Sequence, residues 1–206
     1  MAGQDATRRR YDPKRRIEEI TSATEQVIAE RGIEGLTHRA VAEKAGVPLG
    51  ATTYHFATKD DLIQAALQRS VDRYAAYLAD WVAQRPELTP EQLAVLLTDA
   101  LMGCFGPQRD QQVMEFELYL AALRRPALRP IADRFIELSV SALLPYVDEL
   151  TARTAAVATN GLTLRGLAGT TPPTRAEVEG VLRRILTPNP SLPAPATDLD
   201  TPQAPA

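Results

Sequence analysis

The side chains able to carry out catalytic or metal chemistry are few in this sequence. The chain has two histidines, His38 and His55, and a single cysteine, Cys104. Neither histidine completes a Glu-x-x-His pair, the ligand pattern of di-iron helical bundles. Neither lies near Ser139 or Ser141, where it could activate a hydroxyl, and no glycine-rich phosphate loop precedes a helical segment. We therefore expect no enzymatic activity, no metal site and no cofactor.

The cysteine content and the apolar segments of the sequence predict the cellular compartment of the protein. Cys104 lies in an apolar run without a neighbouring histidine or basic residue, so we interpret it as a small buried hydrophobic residue rather than a nucleophile. The longest apolar stretch, residues 93–105, contains Thr98 and Asp99 and is shorter than the ~20 residues of a membrane span. No apolar signal segment follows the basic residues near the N-terminus. We expect a soluble, cytoplasmic protein.

Charge is distributed unevenly. The chain has 26 acidic and 23 basic side chains, and a net charge of −3 by itself argues against a nucleic-acid partner. However, residues 8–16 hold six basic side chains, opposed there only by Asp12. Residues 1–13 are therefore predicted to form a flexible basic arm, which either reaches the DNA minor groove or serves as a solubilising tail.

The elements that must position any site are helices. Apolar residues recur at steps of three and four, and no stretch alternates as a half-buried strand would, which predicts an all-α protein of about nine helices. Capping residues, glycines and prolines delimit them: residues 14–31, 38–44, 48–54, 59–81, 91–105, 110–124, 127–149, 151–168 and 174–186. Prolines then become frequent, and residues 188–206 are predicted to be a disordered tail.

Two short predicted helices are joined by a tight turn, Ala45-Gly46-Val47. Ala42 and Ala45 are small enough for the helices to pack closely, and Gly46 permits the positive φ expected in such a turn. Val47 is expected to fill the core between the helices. A short second helix in this arrangement can place its N-terminal end in the major groove of DNA, so the pattern indicates a helix-turn-helix.

The order and spacing of these residues closely resemble the DNA-binding domain of the TetR family. The resemblance rests on Ile17, Ala23, Ala29-Glu30-Arg31-Gly32, Thr37, Val41-Ala42, Ala45-Gly46-Val47, Tyr54-His55-Phe56, Lys59 and Leu62. It implies a three-helix DNA-binding domain over residues 14–58. Residues 59–187 would then form a helical-bundle domain for ligand binding and dimerisation.

The resemblance also implies which residues contact DNA. Those facing the bases would be Leu49, Gly50, Ala51 and Thr52. Those contacting phosphates would be Thr37, Tyr54, His55 and Lys59. Because only Thr52 in the first set has a hydrogen-bonding side chain, base readout would rely on apolar contacts with thymine methyl groups. His38 and Arg39 either add a base or phosphate contact or are solvated polar residues.

In this family the last two helices pair with a second subunit as a four-helix bundle. Here the final predicted helix has a regular apolar stripe, and the helix before it contributes a further apolar residue. The predicted dimer interface consists of Leu162, Val178, Val181, Leu182 and Ile185. The other interpretation of this stripe is packing within one chain.

The resemblance further implies a small-molecule pocket in the helical domain. Apolar and aromatic residues on the expected inner faces, with two charged ones, form the candidate set: Tyr77, Trp81, Leu97, Leu101, Phe105, Phe116, Glu117, Leu120, Arg134, Phe135 and Leu138. Glu117 lies among apolar neighbours, and a carboxylate there needs a partner. That partner could be a cationic ligand, Arg134, or water at the rim.

These expectations combine into one functional hypothesis. The chain is predicted to be a homodimeric transcription repressor that binds a palindromic DNA operator and is released by a small, hydrophobic effector. A second hypothesis keeps DNA binding but assigns the helical domain to dimerisation or partner binding alone. The choice between repressor and activator rests on the family resemblance and not on any residue.

Overall fold

The computed structural model describes residues 12–187, and within them it contains nine α-helices, one 3₁₀ turn and no strand. The predicted all-α class is confirmed. The helices are α1 (Pro13–Arg31), α2 (His38–Ala45), α3 (Leu49–His55), α4 (Lys59–Ala83), α5 (Pro90–Gly103), α6 (Arg109–Ala121), α7 (Arg129–Leu143), α8 (Glu149–Ala168) and α9 (Arg175–Leu186). The predicted basic arm, apart from its last two residues, and the proline-rich tail lie outside the described residues.

Local capping explains most of these boundaries. Thr37 and Thr58 each accept a backbone N–H from the first turn of the following helix, and at Thr58 the Asp61 carboxylate completes a capping box. Gly32 ends α1 with φ at 68°, a backbone conformation that glycine adopts without strain. The positions predicted for these helix ends are confirmed.

One predicted helix is wrong in extent. Residues 127–149 were expected to form one helix, whereas a 3₁₀ turn (Pro126–Leu128) precedes α7, which stops at Leu143. The reason is Pro145, which has no N–H to donate and whose ring would clash with a carbonyl of the preceding turn. This break sends the chain back along α8.

Apolar residues form two cores. The first contains Ile20, Val41 and Leu62 of the helix-turn-helix segment and α4, and it continues into α6 and α7 through Leu118 and Ala132. The second joins α5, α8 and α9 with the end of α7. The first core therefore packs continuously across residue 58, where the two predicted domains meet.

Candidate nucleic-acid interface and internal cavity

The α2–α3 turn has the predicted geometry. Gly46 has φ at 64° and leaves the space beside its Cα open, while Val47 is buried and donates its N–H to the Ala42 carbonyl at 3.0 Å. A side chain at position 46 would be strained by this φ. The turn fixes α3 against α2 as a helix-turn-helix.

The exposed face of α3 differs by one residue from the predicted one. Leu49 and Gly50 are exposed, and Ala51 is half-buried against the first core. Thr52 is fully buried, and its Oγ1 donates to the Leu49 carbonyl at 2.7 Å, so its predicted place facing the bases is corrected. Thr53 is exposed instead, since a residue four positions after Leu49 shares its helix face. That spacing was a signal available in the sequence.

The residues predicted to reach phosphates lie around this face. Tyr54 is 79% exposed, and its ring meets only the edge of the His55 ring, at 5.0 Å between centroids. Thr37 is exposed although its hydroxyl caps α2, and Lys59 begins α4. An exposed tyrosine ring without a packing role is typical of a binding residue.

The side chains of His38 and Arg39 have different surroundings. The His38 Nε2 lies 2.8 Å from the Phe56 carbonyl, to which it must donate, so this ring ties α2 to the end of α3. Arg39 is exposed beside it. Among residues 12–187, the Arg39 guanidinium has no hydrogen-bond or ion-pair partner, unlike the His38 ring.

A cavity of about 460 Å³ lies among α4, α5, α6, α7 and α8. Four aromatic side chains line it: Tyr74, Tyr77, Trp81 and Phe135. Tyr74 stacks on Phe135 with ring centroids 5.0 Å apart, and its hydroxyl lies 2.9 Å from the Ser139 Oγ. Burial raises the pKa of this tyrosine, opposed by the Ser139 hydrogen bond. The wall is thus a stacked aromatic surface with few polar atoms.

Charged side chains also line the cavity. Glu115 on α6 lines it with a side chain only 12% exposed, and its Oε1 lies 3.3 Å from the Arg73 Nη2. Gln111 and Gln112 donate amide N–H groups to the two Glu115 oxygens at 3.0 and 3.3 Å. A carboxylate so placed can pair with a cation in the cavity.

Cys104 is not simply buried in the core, as predicted, but half-buried in the cavity wall. Its Sγ lies 3.2 Å from the Gln112 Oε1. Burial, aided by the negative charge of Glu115, raises the pKa of this thiol to about 11. It is protonated at neutral pH, as expected for a residue that is not a nucleophile.

Five predicted pocket residues line the cavity: Tyr77, Trp81, Leu97, Leu101 and Phe135. Six do not, and these predictions are corrected: Phe105, Phe116, Glu117, Leu120, Arg134 and Leu138. Phe105 packs over Gly166, Leu138 packs against the first core, and Leu120 is exposed. Helical periodicity identified apolar stripes but not which of two neighbouring cores each stripe meets.

Glu117 has a partner that was not anticipated. Its Oε2 accepts the backbone N–H of Ile33 at 2.8 Å, in the turn after α1, where the missing side chain of Gly32 leaves room for the carboxylate. Arg134, a partner considered for it, instead pairs with Asp72 at 2.9 Å. Glu117 therefore ties α6 to the helix-turn-helix segment, and Glu115 is the α6 carboxylate that lines the cavity. Asp99 of α5 also lines it, but that side chain is 53% exposed and pairs with Arg175.

The predicted dimer stripe is also partly internal. Val178 and Leu182 are fully buried in the second core, and Leu162 and Ile185 pack against it. Burial within one chain removes Val178 and Leu182 from the exposed interface that was predicted, whereas Leu162 and Ile185 are half-buried and stay candidates for it. Val181, at 39% exposure, faces outward, as do Val157 and Leu164 on α8. Sequence reasoning missed the last two, although both are apolar residues at helical spacing.

Among residues 12–187, no group of three or more His, Cys, Asp or Glu side chains could hold a metal ion. No helix in the described part is long and apolar enough to cross a membrane.

Comparison with known proteins identifies the family. Residues 20–66 match the sequence profile of the bacterial regulatory proteins of the tetR family, and residues 88–188 match the Tetracyclin repressor-like C-terminal domain. The HTH-type transcriptional regulator PksA of Bacillus subtilis (strain 168) is 30% identical over 113 residues, 55% of this chain and 52% of PksA. The matched part is thus about half of that relative.

Solved structures match over more of the chain. The multidrug binding protein EbrR complexed with ethidium is 40% identical, covering 82% of this chain and 98% of EbrR with a TM-score of 0.73. A TetR-family member from Streptomyces coelicolor A3 is 39% identical, covering 82% of this chain and 97% of its own with a TM-score of 0.68. Together with the helix-turn-helix, these matches show that the chain belongs to the TetR family of DNA-binding transcriptional regulators.

Proposed function

We propose that this regulator is a homodimeric repressor that a lipophilic, aromatic cation releases from its operator. The observation that carries the proposal is Glu115, a carboxylate 12% exposed in a cavity lined by Tyr74, Tyr77, Trp81 and Phe135. Aromatic faces attract cations, and a buried carboxylate requires a positive partner. This refines the predicted hydrophobic effector to a positively charged one.

Size and similarity support the same class of ligand. A cavity of about 460 Å³ is within the range of about 300–1,000 Å³ typical of small-molecule sites. EbrR, 39–42% identical to this chain, has been solved with ethidium, proflavin and malachite green. All three compounds are aromatic cations, which match a cavity lined by stacked aromatic rings and a carboxylate.

Dimerisation would bring two recognition helices to neighbouring major grooves. Half-sites one DNA turn apart require a two-fold dimer. The outward apolar residues Val157, Leu164 and Val181 support pairing through α8 and α9. On the DNA side we propose Thr37, Arg39, Leu49, Gly50, Thr53, Tyr54, His55 and Lys59 as the contact set.

The test uses fluorescence anisotropy with intergenic DNA from upstream of the chain's own gene, across a salt series. We expect sequence-selective binding that Tyr54→Ala weakens about 10- to 100-fold without loss of stability, since the ring is exposed and a hydrogen bond to a charged group contributes about 1.5–3 kcal/mol. Weak binding that ignores sequence and is unaffected by Tyr54→Ala would contradict the proposal.

The effector is tested on the same complex. Tetraphenylphosphonium, an aromatic monocation that does not intercalate, is expected to release the DNA, and neutral triphenylphosphine oxide is the control. Linkage requires operator DNA to weaken cation binding by the same factor. Selective DNA binding unchanged by the cation would favour the effector-independent regulator instead.

A further inference from the structure

Arg73 of α4 lies between two carboxylates that belong to different parts of the molecule. Its Nη1 is 3.1 and 3.3 Å from the two oxygens of Glu25 on α1, and its Nη2 is 3.3 Å from Glu115 Oε1 on α6. One guanidinium thus connects the first DNA-binding helix with the wall of the cavity. A planar fork of donors makes such double pairing possible.

The two carboxylates depend on Arg73 to different degrees. Glu25, 11% exposed, also pairs with Arg69 at 3.2 Å, so it keeps one arginine if Arg73 moves. Glu115 has Arg73 as its one cationic partner among the described residues, and its other contacts are the neutral amides of Gln111 and Gln112. The bond to Glu115 is therefore the easier of the two to exchange.

We propose that Arg73 occupies the cation subsite, the position beside the Glu115 carboxylate, in the ligand-free protein. A ligand cation that binds in the cavity takes the place of the Arg73 guanidinium there. This rests on the proposed cationic effector and adds how that effector acts. Arg73 lines the same cavity as Glu115, so a ligand cation that reaches the carboxylate also reaches the guanidinium. Binding is a competition between two cations for one carboxylate.

The exchange breaks a link between helices without exposing a lone buried charge. Glu115 gains the ligand, and Glu25 keeps Arg69 and Arg73, so α1 and α4 stay joined. The ion pair between α4 and α6 is lost, while Glu117 still holds α6 to the turn after α1. An α4 released from α6 at this point can change its angle, and with it the spacing of the recognition helices.

The first experiment measures ethidium affinity by fluorescence on the full chain without DNA. We expect Arg73→Gln to raise the affinity about five- to tenfold, because the competitor is gone. Arg69→Gln is the matched control: it removes the same charge from Glu25 but does not touch Glu115, and it should change the affinity less than about twofold. Circular dichroism verifies folding of each variant.

A double-mutant cycle separates competition from simple repulsion. In the Glu115→Gln background, Arg73→Gln should have almost no effect, because the carboxylate for which Arg73 and the ligand compete is already gone. An equal gain in both backgrounds, or an equal gain from Arg69→Gln, would overturn the proposal in favour of general repulsion. Reduced affinity in Arg73→Gln would overturn it by making Arg73 part of the ligand's support.

The second readout is operator release by tetraphenylphosphonium. Arg73→Gln should bind the cation well yet lose most of the coupling to DNA, since no α4–α6 ion pair remains to break, whereas Arg69→Gln keeps it. If the cation weakened DNA binding by Arg73→Gln as much as by wild type, the proposed role of the α4–α6 ion pair in the coupling would be refuted. If neither wild type nor Arg73→Gln binds any cation, the proposed class of effector is wrong. If only Arg73→Gln binds a cation, the role of Arg73 beside Glu115 is supported and the proposed effector function is not.

Arg73→Lys provides a second variant should Arg73→Gln fail to fold. Lysine keeps the charge beside Glu25 but cannot span both carboxylates with one planar group. Its cation affinity should lie between those of wild type and Arg73→Gln. An affinity at or below that of wild type would contradict the proposal that the planar Arg73 guanidinium competes with the ligand cation for Glu115.

Discussion

The DNA-binding face and the cavity are built in different ways. The residues around α3 come from one short stretch, residues 37–59, and their positions follow from two threonine caps and one glycine turn. The cavity takes its lining from five helices, between Arg73 and Thr163. A face made by local structure tolerates change elsewhere in the chain, whereas a cavity made by packing depends on every helix around it.

The two regions nevertheless share one core. Leu118 of α6 belongs to the same buried core as Ile20 of α1 and Leu62 of α4, and the Glu25–Arg73–Glu115 ion pairs join the same three helices. Packed helices in a protein core move as discrete units rather than deform smoothly. Binding in the cavity can therefore reach α1 through contacts that already exist.

The largest expected effect tests whether the two regions unfold as one. Leu118→Ala should lower the free energy of unfolding by about 2–5 kcal/mol, the cost of a cavity at a buried leucine. Urea unfolding followed by circular dichroism and by fluorescence of Trp81, the single tryptophan, should remain one coincident transition. Separate transitions would show independent domains. Exposed Leu123→Ala, at equal protein concentration, should cost less than about 0.5 kcal/mol.

The next effect concerns the burial of Cys104 in the cavity wall. With its pKa raised to about 11 by burial, the Cys104 thiol should react with iodoacetamide about a hundredfold more slowly than an ordinary cysteine at pH 8, because only the thiolate reacts. The rate should rise about tenfold per pH unit up to pH ~11, and a bound cation should slow it further. Mass spectrometry of the alkylated protein, which has a single cysteine, measures this rate. A reaction rate equal to that of the urea-unfolded chain would contradict burial of the Cys104 thiol in the cavity wall.

A pair of glutamates on α6 sharpens the contrast between the two regions. Glu115→Gln should weaken ethidium binding about tenfold and leave binding of a neutral aromatic compound unchanged, since it removes charge but keeps shape. Glu117→Gln should leave ethidium binding unchanged and destabilise the fold by about 1 kcal/mol, through a weaker acceptor for the Ile33 N–H. Titration and thermal unfolding measure the two effects. The reverse pattern would assign the cavity carboxylate to Glu117.

The smallest effect separates neighbouring threonines of α3. Thr52→Val should change operator affinity less than about twofold, because its side chain is buried in the protein. Thr53→Ala should alter the preference among operator variants by about 1 kcal/mol or more, since its hydroxyl is exposed on the face of Leu49 and Gly50. Anisotropy with a panel of operator variants tests both. Altered selectivity in Thr52→Val would restore the original prediction.

Short-range features were predictable from sequence, and their success has a local cause. Thr37, Gly46 and Thr58 act within a few residues of themselves, so their roles follow from residue type and spacing alone. The failure at residues 127–149 is also local, because Pro145 has no N–H to donate and the helix ends at Leu143, two residues before it.

Longer-range assignments failed where one apolar stripe had two possible neighbours. Val178 and Leu182 form a regular stripe, but a stripe shows only that a face is buried and not whether α5 or a second subunit covers it. Phe105 was expected in the cavity and instead fills the space above Gly166. The distance between helices, which sequence periodicity does not contain, decided both.

Residue types and spacings within short stretches were enough to predict most helix boundaries and the turn at Gly46, because hydrogen bonds and backbone conformations within a few residues set them. Packing between distant helices settled which acidic side chain of α6 lines the cavity. Glu115 and Glu117 are about 200° apart around the helix axis, so one must face away from the other's partner. The packing of α6 between the cavity and α1 placed Glu115 beside Arg73 and Glu117 at Ile33.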